Sequence, residues 1–346
     1  MITISSDVHL RTSTMTALDH DGTKIMRKKL PNSPEELLGF VRQFDGPKQF
    51  SMETCYNWPV MYELLKDEVD QFHLMHAKKL KSIVESQSKC DGHDADEMAR
   101  LTHIGYIPKA HIACAETRQF RRLLRTRVGI SMEISSIKNR IHALINANTF
   151  YSQRPKTFKD LFCKRGIEYL EALQLPERER FIVNKLLKEI RFLERLRGEF
   201  DANIERSGFR SDDMAVLETV PAMKGRVFKY IVLSEIDNIG RFRNSDAIAA
   251  YAGLVPRDRS SGDKNRKGRM RTDCNEFLKW TMIEAAIPAM RKDRSLWRYY
   301  KEVKQRRNSS SARLAVARKL LISIYHVLKE HRPYYYADRK PQVAHV

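Results

Sequence analysis

Four acidic side chains are concentrated in DGHDADEMARL, residues 91 to 101. If this segment is helical, Asp91 and Asp94 stand three residues apart, and their carboxylates lean over one face with Cβ atoms about 5–6 Å apart. Their repulsion is costly unless a cation lies beside them. A cation site is one interpretation. The other is a solvated helix start, where acids favour the positive end of the helix dipole.

A second set of reactive groups lies in PRDRSSGDKNRKGRMRTDCN, residues 256 to 275, which has seven Arg or Lys and almost no apolar content. Such a segment cannot be core, and an arm that only touches phosphates would explain its charge. A hydroxyl of Ser260 or Ser261, before Gly262 and among cations, could instead attack a phosphodiester. Ser-Ser-Gly is also common in loops without chemistry.

Charge is distributed unevenly along the chain. The formal net charge is +20, but residues 1 to 100 carry 13 Lys plus Arg against 16 Asp plus Glu, so the remainder carries 50 against 27. A basic surface of this size suits a polyphosphate partner, because each neutralised phosphate releases a counterion. The alternative is a merely soluble basic protein. The candidate nucleic-acid-binding residues are Arg118, Arg121, Arg122, Arg125, Arg257, Arg259, Lys264, Arg266 and Lys267.

Composition limits the class of protein. The chain has 346 residues, 42% of them hydrophobic, enough for two domains. Its five cysteines include no CxxC pair, which argues against a zinc finger or disulfide framework. The N-terminus lacks signal-peptide character and no run of 18 apolar residues occurs. We therefore expect a cytoplasmic protein without membrane insertion.

The first part of the chain predicts a mixed α/β unit. MITISSDVHL reads as a strand ending at Asp7, and TSTMTALDHDGTKIMRKKL as two strands joined at the DHDG turn. SPEELLGFVRQF predicts a Ser-capped helix, and KQFSMETCYNW a strand that ends at Glu53. A helix with Pro59 in its first turn follows, and QFHLMHAKKLKSI then reads as strand, turn and helix start. Acids thus stand at element ends, where catalytic groups tend to lie.

The second part predicts helices. A basic helix starts at residue 115, and a seam of apolar residues at steps of three and four follows in FIVNKLLKEIRFLERLRGEFDANIE. The seam consists of Ile182, Leu186, Ile190, Leu193, Leu196, Phe200 and Ile204. It fits a helical hairpin or coiled coil and, equally, an ordinary amphipathic core helix. Later helices include one that Ser245 or Asp246 caps and that Gly253 follows as a left-handed residue.

Several segments resemble one family. SSDVHLRT, METCYNW and KCDGHDADEMARL are similar, in order, to the acidic motifs of the DEDD transposases of bacterial insertion sequences, of the insertion sequence one-ten type, to which the pilin-gene invertases are related. SEIDNIGRFRNSDAIAAYAGLVPRDRSSGDKNRKG resembles the family's serine-domain signature, and ARLAVARKLLISIYHVLKEHRPY its closing helix. The resemblance covers roughly residues 3 to 335.

The resemblance implies an α/β plus α fold. It divides the chain into an RNase H-like (Holliday-junction-resolvase-like) DEDD domain at 1–155, a helical connector at 156–211, a mainly helical serine-bearing domain at 212–335 and a tail at 336–346. It also implies a site-specific DNA recombinase or transposase that cuts and rejoins DNA. Matched to the motifs, the metal-binding catalytic acids are Asp7, Glu53, Asp91 and Asp94, and the nucleophile is Ser261.

The implied cofactor is Mg²⁺ or Mn²⁺, and the implied partners are DNA, as element ends and target, and a guide (bridge) RNA. Asp96 and Glu97 have no counterpart among the four acids, and we expect them to remain solvated. Because two duplexes must be cut and exchanged, a homodimer or homotetramer is expected, with residues 178–206 as one candidate interface.

The sequence departs from the family pattern at two turns. Ala222 and Lys224 stand where glycines are usual, and Thr272 and Cys274 replace the usual Lys and Gly. Two alternatives remain open: a metal-dependent junction nuclease that uses water, and an inactive nucleic-acid-binding regulator with the same fold. The five proposed catalytic positions are intact, which favours an active recombinase.

Overall fold

The chain forms two compact units, Met1–Ala113 and Cys114–Val346. The computed structural model describes residues 1–81, 91–148, 160–225, 227–261 and 264–336, without the side chains of 91–93, 257–261, 264–267 and 269. The boundary between the units falls before residue 155, since the helix that starts at Ala115 packs with later helices. The predicted domain divisions at 155, 211 and 335 stay predictions. None of the described helices is both long enough and apolar enough to cross a membrane.

A five-stranded sheet is the centre of the first unit. Its strands are β1 (Ile2–Val8), β2 (Thr12–Leu18), β3 (Lys24–Pro31), β4 (Lys48–Glu53) and β5 (Gln71–Met75). Their order in the sheet is β3-β2-β1-β4-β5. Strand β2 is antiparallel to both β1 and β3, whereas β4 is parallel to β1 and β5. The predicted opening meander, with its DHDG turn, is confirmed.

Helices of the described residues accompany this sheet. They are α1 (Pro34–Arg42), α2 (Trp58–Leu65), α3 (Ala77–Lys81) and α4 (Asp91–His103). Ser33 caps α1 as predicted, because its hydroxyl accepts the backbone N–H of Glu36 at 3.4 Å. Pro59 lies in the first turn of α2, also as predicted, where a missing backbone N–H costs nothing.

Side-chain alternation gives the sheet two different faces. Ile4, Phe50 and Met52 are fully buried and form one core with residues of α1 and α2, including Leu37 and Met61. The intervening positions include the small polar residues Ser5 and Ser51, and helix α4 packs on this face. The first face therefore supplies hydrophobic stabilisation, and the second leaves polar groups beneath a helix.

Helices make up most of the second unit. They are α5 (Ala115–Asn148), α6 (Lys164–Ala172), α7 (Glu177–Arg206), α8 (Ser211–Leu217), α9 (Phe228–Ile236), α10 (Ser245–Tyr251), α11 (Glu276–Lys292), α12 (Arg294–Arg306) and α13 (Ser309–Lys329). A core of residues from α5 and α8 to α13 joins most of them. Helices α6, α8, α11 and α12 are additions to the elements that the sequence predicted.

The apolar seam of α7 packs against α5 of the same chain. Ile190 and Leu193 lie in a core with Ile137 and Ile141, and Arg127 pairs with Asp201 at 2.7 Å across an antiparallel helix pair. This agrees with the helical-hairpin interpretation.

One seam residue is corrected. Val183 is fully buried, whereas Ile182 is 42% exposed. They lie three and four residues before Leu186, so helical spacing alone fits either of them. The seam itself is occupied by α5. The interface predicted on residues 178–206 stays a prediction, and it would lie away from this seam.

Helix α10 ends as predicted and begins differently. Gly253 has φ +64°, the left-handed residue expected after the helix. The cap, however, is Asn244, whose side-chain oxygen accepts the N–H of Ala247 at 2.9 Å. Ser245 and Asp246 therefore lie inside the helix, and their predicted capping role is wrong. Three polar residues in a row offered three possible caps, and the chain uses the first.

Candidate active site

Helix α4 sits close to the polar face of the sheet through two serines. The Ser5 hydroxyl on β1 donates to the Ala95 carbonyl at 2.5 Å. The Thr102 hydroxyl on α4 donates to the Met98 carbonyl and lies 2.7 Å from the Ser51 hydroxyl on β4. Ser5, Ser51 and Ala95 are all fully buried, so small side chains let the helix approach the strands. These contacts fix the position of α4 over β1 and β4.

Two acids follow these serines on the same face. Asp7 and Glu53 come two residues after Ser5 and Ser51, so pleating directs them to the side that α4 covers. Strands β1 and β4 are parallel and their register pairs Ser6 with Met52, which makes the next residues neighbours at the carboxyl edge. The Asp7 carboxylate lies 3.2 Å from His9 Nε2, and its side chain is only 13% exposed.

The carboxyl of Glu53 is half-buried and lies near other negative charges. Burial raises the pKa of its carboxyl, and the nearby carboxylates of Asp7 and Asp94 raise it further, while His9 lowers it. The structure thus brings together three of the four predicted acids, from β1, β4 and α4. The side chain of Asp91, the fourth, lies outside the described residues. Carboxylate oxygens are the ligands that Mg²⁺ and Mn²⁺ prefer, so this donor set fits a hard divalent cation.

A tighter acidic group lies at the turn between β2 and β3. Within the described part of the chain, Asp19, His20 and Asp21 form the only group of three whose ligand atoms all lie within 4.8 Å of one another. The turn itself explains them, because Asp19 Oδ1 accepts the backbone N–H groups of Asp21 and Thr23 at 2.9 and 2.8 Å. The carboxylates of Asp7, Glu53 and Asp94 do not approach one another so closely.

Asp96 is a structural residue, and the expectation that it remains solvated is wrong. Its side chain is 14% exposed, accepts the Thr16 hydroxyl at 2.7 Å, and pairs with Lys24 at 2.8 Å and Arg27 at 3.1 Å. Hydrogen bonds from Lys24 and Thr16 lower its pKa against the opposing effect of burial, which is the largest single influence. Asp96 thereby binds α4 to β2 and β3.

The expectation that Glu97 remains solvated needs a smaller correction. Its side chain is 27% exposed and pairs with Arg100 at 2.8 Å, one turn further along α4. This is a surface pair of the i, i+3 type, which contributes only tenths of a kcal/mol to helix stability (about 0.2–0.5). Neither Asp96 nor Glu97 belongs to the group around Glu53.

The predicted serine arm is a β-hairpin. Strand β6 (Pro256–Ser261) pairs antiparallel with β7 (Lys264–Met270), and Ser261 stands opposite Lys264 next to the turn. Ser260 and Ser261 are therefore the last residues of β6. Gly262 and the side chains of both serines lie outside the described residues.

The base of this hairpin is held by a buried carboxylate. Glu235 on α9 is 1% exposed, and Arg125 donates two hydrogen bonds to it, each 3.0 Å long. Asn275, which lies after the hairpin and caps α11, donates to Glu235 at 2.8 Å and to the Tyr251 hydroxyl at 3.0 Å. Tyr251, which precedes the hairpin, donates to the Glu235 carbonyl at 3.3 Å. Both chain ends of the hairpin are thus tied to one residue.

A close backbone approach completes the base. A Cβ at Gly253 would lie 2.4 Å from Cys274 Sγ and 2.8 Å from its Cβ, so glycine is required there by space as well as by φ. The backbone N–H of Asn275 donates to the Tyr251 carbonyl at 2.7 Å. Cys274, one of the departures from the family pattern, fills the space beside Gly253.

The four predicted arginines of α5 have different environments. Arg118 is buried, and Arg121 donates to the Ser234 carbonyl at 2.6 Å. Arg125 is half-exposed but engaged with Glu235, and its guanidinium lies 5.5 Å from the Phe277 ring centroid. Arg122 is exposed. Three of the four therefore stabilise the second unit, and Arg122 faces solvent.

Comparison with known proteins identifies the chain. Residues 4–148 match the transposase family model DEDD_Tnp_IS110, and residues 214–301 match the model of the transposase IS116/IS110/IS902 family. The chain belongs to the IS110-type DEDD transposases. The first match contains Asp7, Glu53, Asp91 and Asp94, and the second contains Ser261. Both halves of the predicted resemblance are confirmed.

Two curated relatives of this transposase have similar length. The transposase for insertion sequence element IS1111A of Coxiella burnetii is 23% identical over 298 residues, which cover 82% of this chain and 78% of the relative. A probable family 20 transposase of Pseudomonas aeruginosa is 22% identical over 306 residues, covering 85% of this chain and 87% of the relative. Membership in the DEDD family implies dependence on a divalent metal ion.

The turn around Ala222 explains why glycine is usual at this position. Ala222 is fully buried and has φ +74°, a left-handed conformation that glycine adopts without strain. This accounts for the glycine that is usual at this position in the transposases. Lys224, at the second altered position, is exposed, and the positive φ falls instead on Gly225, at +65°.

Glu235, Tyr251 and Asn275 were missed as a group by the sequence analysis. They are 16 to 40 residues apart, and Arg125 is 110 residues from Glu235. No periodic pattern links residues so distant in a single sequence. The sequence held one signal for this group: the acidic residue Glu235 within the otherwise apolar helix segment IVLSEI.

Proposed function

We propose that this transposase cuts and rejoins DNA with a metal-binding centre of Asp7, Glu53, Asp91 and Asp94 and with Ser261 as nucleophile. The observation that carries the proposal is the register of the parallel strands β1 and β4, which makes Asp7 and Glu53 neighbours at the carboxyl edge of the sheet. The charges of Asp7 and Asp94 act on Glu53 there, in addition to burial, and raise its pKa. Like charges gathered on rigid elements are unfavourable by themselves. A divalent cation would turn that repulsion into attraction.

Mg²⁺ or Mn²⁺ bound to these acids would polarise the scissile phosphate and favour the deprotonated form of an attacking hydroxyl. The protein's own contribution is to hold the ligands: β1 and β4 fix Asp7 and Glu53, and α4 fixes Asp94. Ser5 and Ser51 hold the helix against both strands. Asp96 secures the same helix from β2 and β3.

In the proposed chemistry, the Ser261 hydroxyl oxygen attacks the phosphorus of a phosphodiester. A bond forms between serine and phosphorus, and the bond from phosphorus to one sugar oxygen breaks. The serine proton leaves to a base and a proton reaches the departing sugar hydroxyl, so the product is a phosphoserine diester and a free strand end. The reverse attack by another strand's hydroxyl rejoins DNA without an external energy source.

The register of the hairpin supports a phosphate partner. Arg259 stands opposite Arg266, and like charges at opposite positions of a ladder are destabilising. The phosphates of a DNA backbone along the hairpin would relieve this repulsion. The cationic residues would in turn stabilise the charge that develops on the phosphoryl oxygens. We assign this role to Arg257, Arg259, Lys264, Arg266 and Lys267. In α5, the exposed Arg122 is the residue we propose for a phosphate contact.

The remaining parts of the proposal follow the family resemblance. We propose an RNase H-like fold for the DEDD domain, which the sheet order β3-β2-β1-β4-β5 supports. We also propose guidance by a structured bridge RNA and assembly into a homodimer or homotetramer. A guide RNA would select the two duplexes, and an oligomer would allow both of them to be cut and exchanged.

The decisive experiment looks for protein-linked DNA. The protein is incubated with end-labelled element-end DNA, Mg²⁺ and the RNA encoded beside its gene, and denaturing gels report covalent adducts. We expect an adduct that peptide mapping assigns to residue 261. Ser261→Ala should abolish the adduct but retain DNA binding, and the matched control Ser260→Ala should keep the adduct.

Two results would overturn the serine mechanism. An adduct that persists in Ser261→Ala would place the nucleophile elsewhere. Cleaved strands with free ends and no adduct in the wild type would favour the water-using junction nuclease.

A further inference from the structure

Helix α12 carries two stacked aromatic rings, of which Trp297 is exposed and Tyr300 is half-buried against the core of the second unit. The ring centroids of Trp297 and Tyr300 are 5.4 Å apart, and their planes differ by 15°. Trp297 is 43% exposed, although burial of a tryptophan is normally favourable. The helix is anchored by Leu296, which is 1% exposed, so the exposed tryptophan is not needed to hold it in place.

Two lysines lie beside these rings. Lys301 Nζ is 5.3 Å from the Trp297 centroid, and Lys304 Nζ is 5.9 Å from the Tyr300 centroid. Residues 297, 301 and 304 recur at steps of four and three, so they lie along one stripe of the helix. Within the described residues, neither lysine forms an ion pair with a carboxylate.

The whole helix is strongly basic. It contains five cationic residues and one acid: Arg294, Arg298, Lys301, Lys304 and Arg306, with Glu302 as the acid. Arg291 and Lys292 precede it and Arg307 follows it. A partner for this surface must therefore be an anion with flat apolar faces.

Helix α7 shows that an exposed aromatic beside a lysine is not enough. Phe181 is 61% exposed, and Lys185 Nζ lies 5.1 Å from its ring centroid, in the same i, i+4 arrangement. Yet α7 has eight Lys or Arg against seven acids, so its charges nearly balance. Of these two helices, it is α12 that combines the ring with a clear excess of positive charge.

We propose that the surface formed by Trp297, Tyr300, Lys301 and Lys304 binds unpaired nucleotides. A base would stack against the exposed part of the Trp297 ring, and its phosphates would lie near the two lysines. A duplex hides its base faces, so the surface should prefer single strands. DNA and RNA offer the same ring and phosphate chemistry. The inference deepens the proposed function, because strand exchange exposes unpaired bases.

The test compares binding of labelled oligonucleotides of about 16 nucleotides, as single-stranded DNA, duplex DNA of the same sequence and single-stranded RNA, by fluorescence anisotropy. Trp297→Ala should weaken single-strand binding about tenfold and duplex binding by less than about twofold. Trp297→Phe should retain most of the affinity. Phe181→Ala is the matched control and should leave both affinities unchanged.

A second variant tests the lysines. Lys301→Gln combined with Lys304→Gln should reduce the slope of log affinity against log salt by about 0.7 for each phosphate that the protein no longer neutralises. Weaker binding of DNA alone or of RNA alone in the variants would identify the source of the strand and support the surface. Equal reductions for single and double strands, equal reductions in Phe181→Ala, or unchanged binding in Trp297→Ala would overturn it.

The result is independent of the serine chemistry. Ser261→Ala should bind single strands as the wild type does, since binding needs no covalent step. Failure of the adduct proposal would therefore leave this assay intact. Failure of Trp297→Ala to weaken binding would leave the adduct assay intact.

Discussion

Asp96 joins helix α4 to the sheet through partners 69 to 80 residues away in the chain. Asp96→Ala should lower the free energy of unfolding by about 1–2 kcal/mol, since hydrogen bonds to a charged group contribute about 1.5–3 kcal/mol and Lys24 and Arg27 are partly screened by solvent. Urea unfolding at neutral pH measures the change. Because α4 carries Asp94, strand cleavage should also fall.

Glu97→Ala is the control for this prediction. Its pair with Arg100 lies on the surface and within one helix, so the destabilisation should stay below about 0.5 kcal/mol. Equal stability of the Asp96→Ala and wild-type proteins would show that the Thr16, Lys24 and Arg27 contacts do not stabilise the fold.

Glu53 allows the metal hypothesis to be tested through stability. Its folded-state pKa is raised, so its contribution to stability falls as pH rises through that pKa. Without divalent ions, Glu53→Gln should therefore melt at a higher temperature than the wild type at neutral pH. Added Mg²⁺ should stabilise the wild type and have little effect on Glu53→Gln. Thermal melts in EDTA and in Mg²⁺ give both values, and an equal Mg²⁺ shift in both proteins would remove Glu53 from the ligand set.

Ala222 has a strained backbone that only some side chains tolerate. Ala222→Gly relieves about 1–2 kcal/mol of left-handed strain, but it removes a buried methyl worth about 0.8 kcal/mol and adds chain freedom in the unfolded state worth about 0.4–1. It should therefore be neutral within about 1 kcal/mol. Ala222→Val should destabilise the protein by at least about 2 kcal/mol through crowding at the same φ. Urea midpoints would test this, and a harmless valine would contradict the assigned backbone conformation.

At the scale of elements, α5 has both a structural and a solvent-facing arginine. Arg125→Gln should destabilise the second unit by about 2 kcal/mol, since it leaves the buried Glu235 with fewer donors. Arg122→Gln should leave stability unchanged and weaken DNA binding with a smaller salt slope. Denaturation and anisotropy titrations on both variants separate the roles. Stability reductions of equal size would show that Arg122 is also a packing residue.

Element boundaries with a local chemical signal could be predicted from the sequence. Ser33, Pro59 and Gly253 each act within one turn of their own position, and each was placed correctly. Asn244 was missed because its neighbours are also good caps. Ile182 was named in place of Val183 because the two lie four and three residues before Leu186, and both steps fit a helix.

At the scale of the whole molecule, the two units differ in charge. Residues 1–113 contain 14 Lys plus Arg and 16 Asp plus Glu, and residues 114–346 contain 49 and 27. A fragment of residues 114–346 should therefore bind DNA nearly as tightly as the full chain, with a similar salt slope, because phosphate contacts dominate affinity. A fragment of residues 1–113 should bind far more weakly. Anisotropy over a salt series tests this, and comparable binding by the two fragments would contradict it.

The composition of the candidate site could be inferred from the sequence, whereas its supports could not. The order of Asp7, Glu53 and Asp94 along the chain follows from motif resemblance and strand patterns. The donors to Asp96 and the ring of contacts around Glu235 depend on residues tens of positions apart, brought together only by packing. Such contacts leave no periodicity in one sequence.

The hairpin that carries Ser261 is a two-stranded ribbon on a firmly held base. Ribbons of this kind are only marginally stable alone, so its amide protons should exchange early in hydrogen–deuterium measurements while those around Glu235 exchange late. Ordering the ribbon would then cost free energy that only a fully matched DNA partner returns. If Ser261 is the nucleophile, as we propose, its hydroxyl would then be kept from attacking unrelated DNA, which would protect the host chromosome from stray nicks.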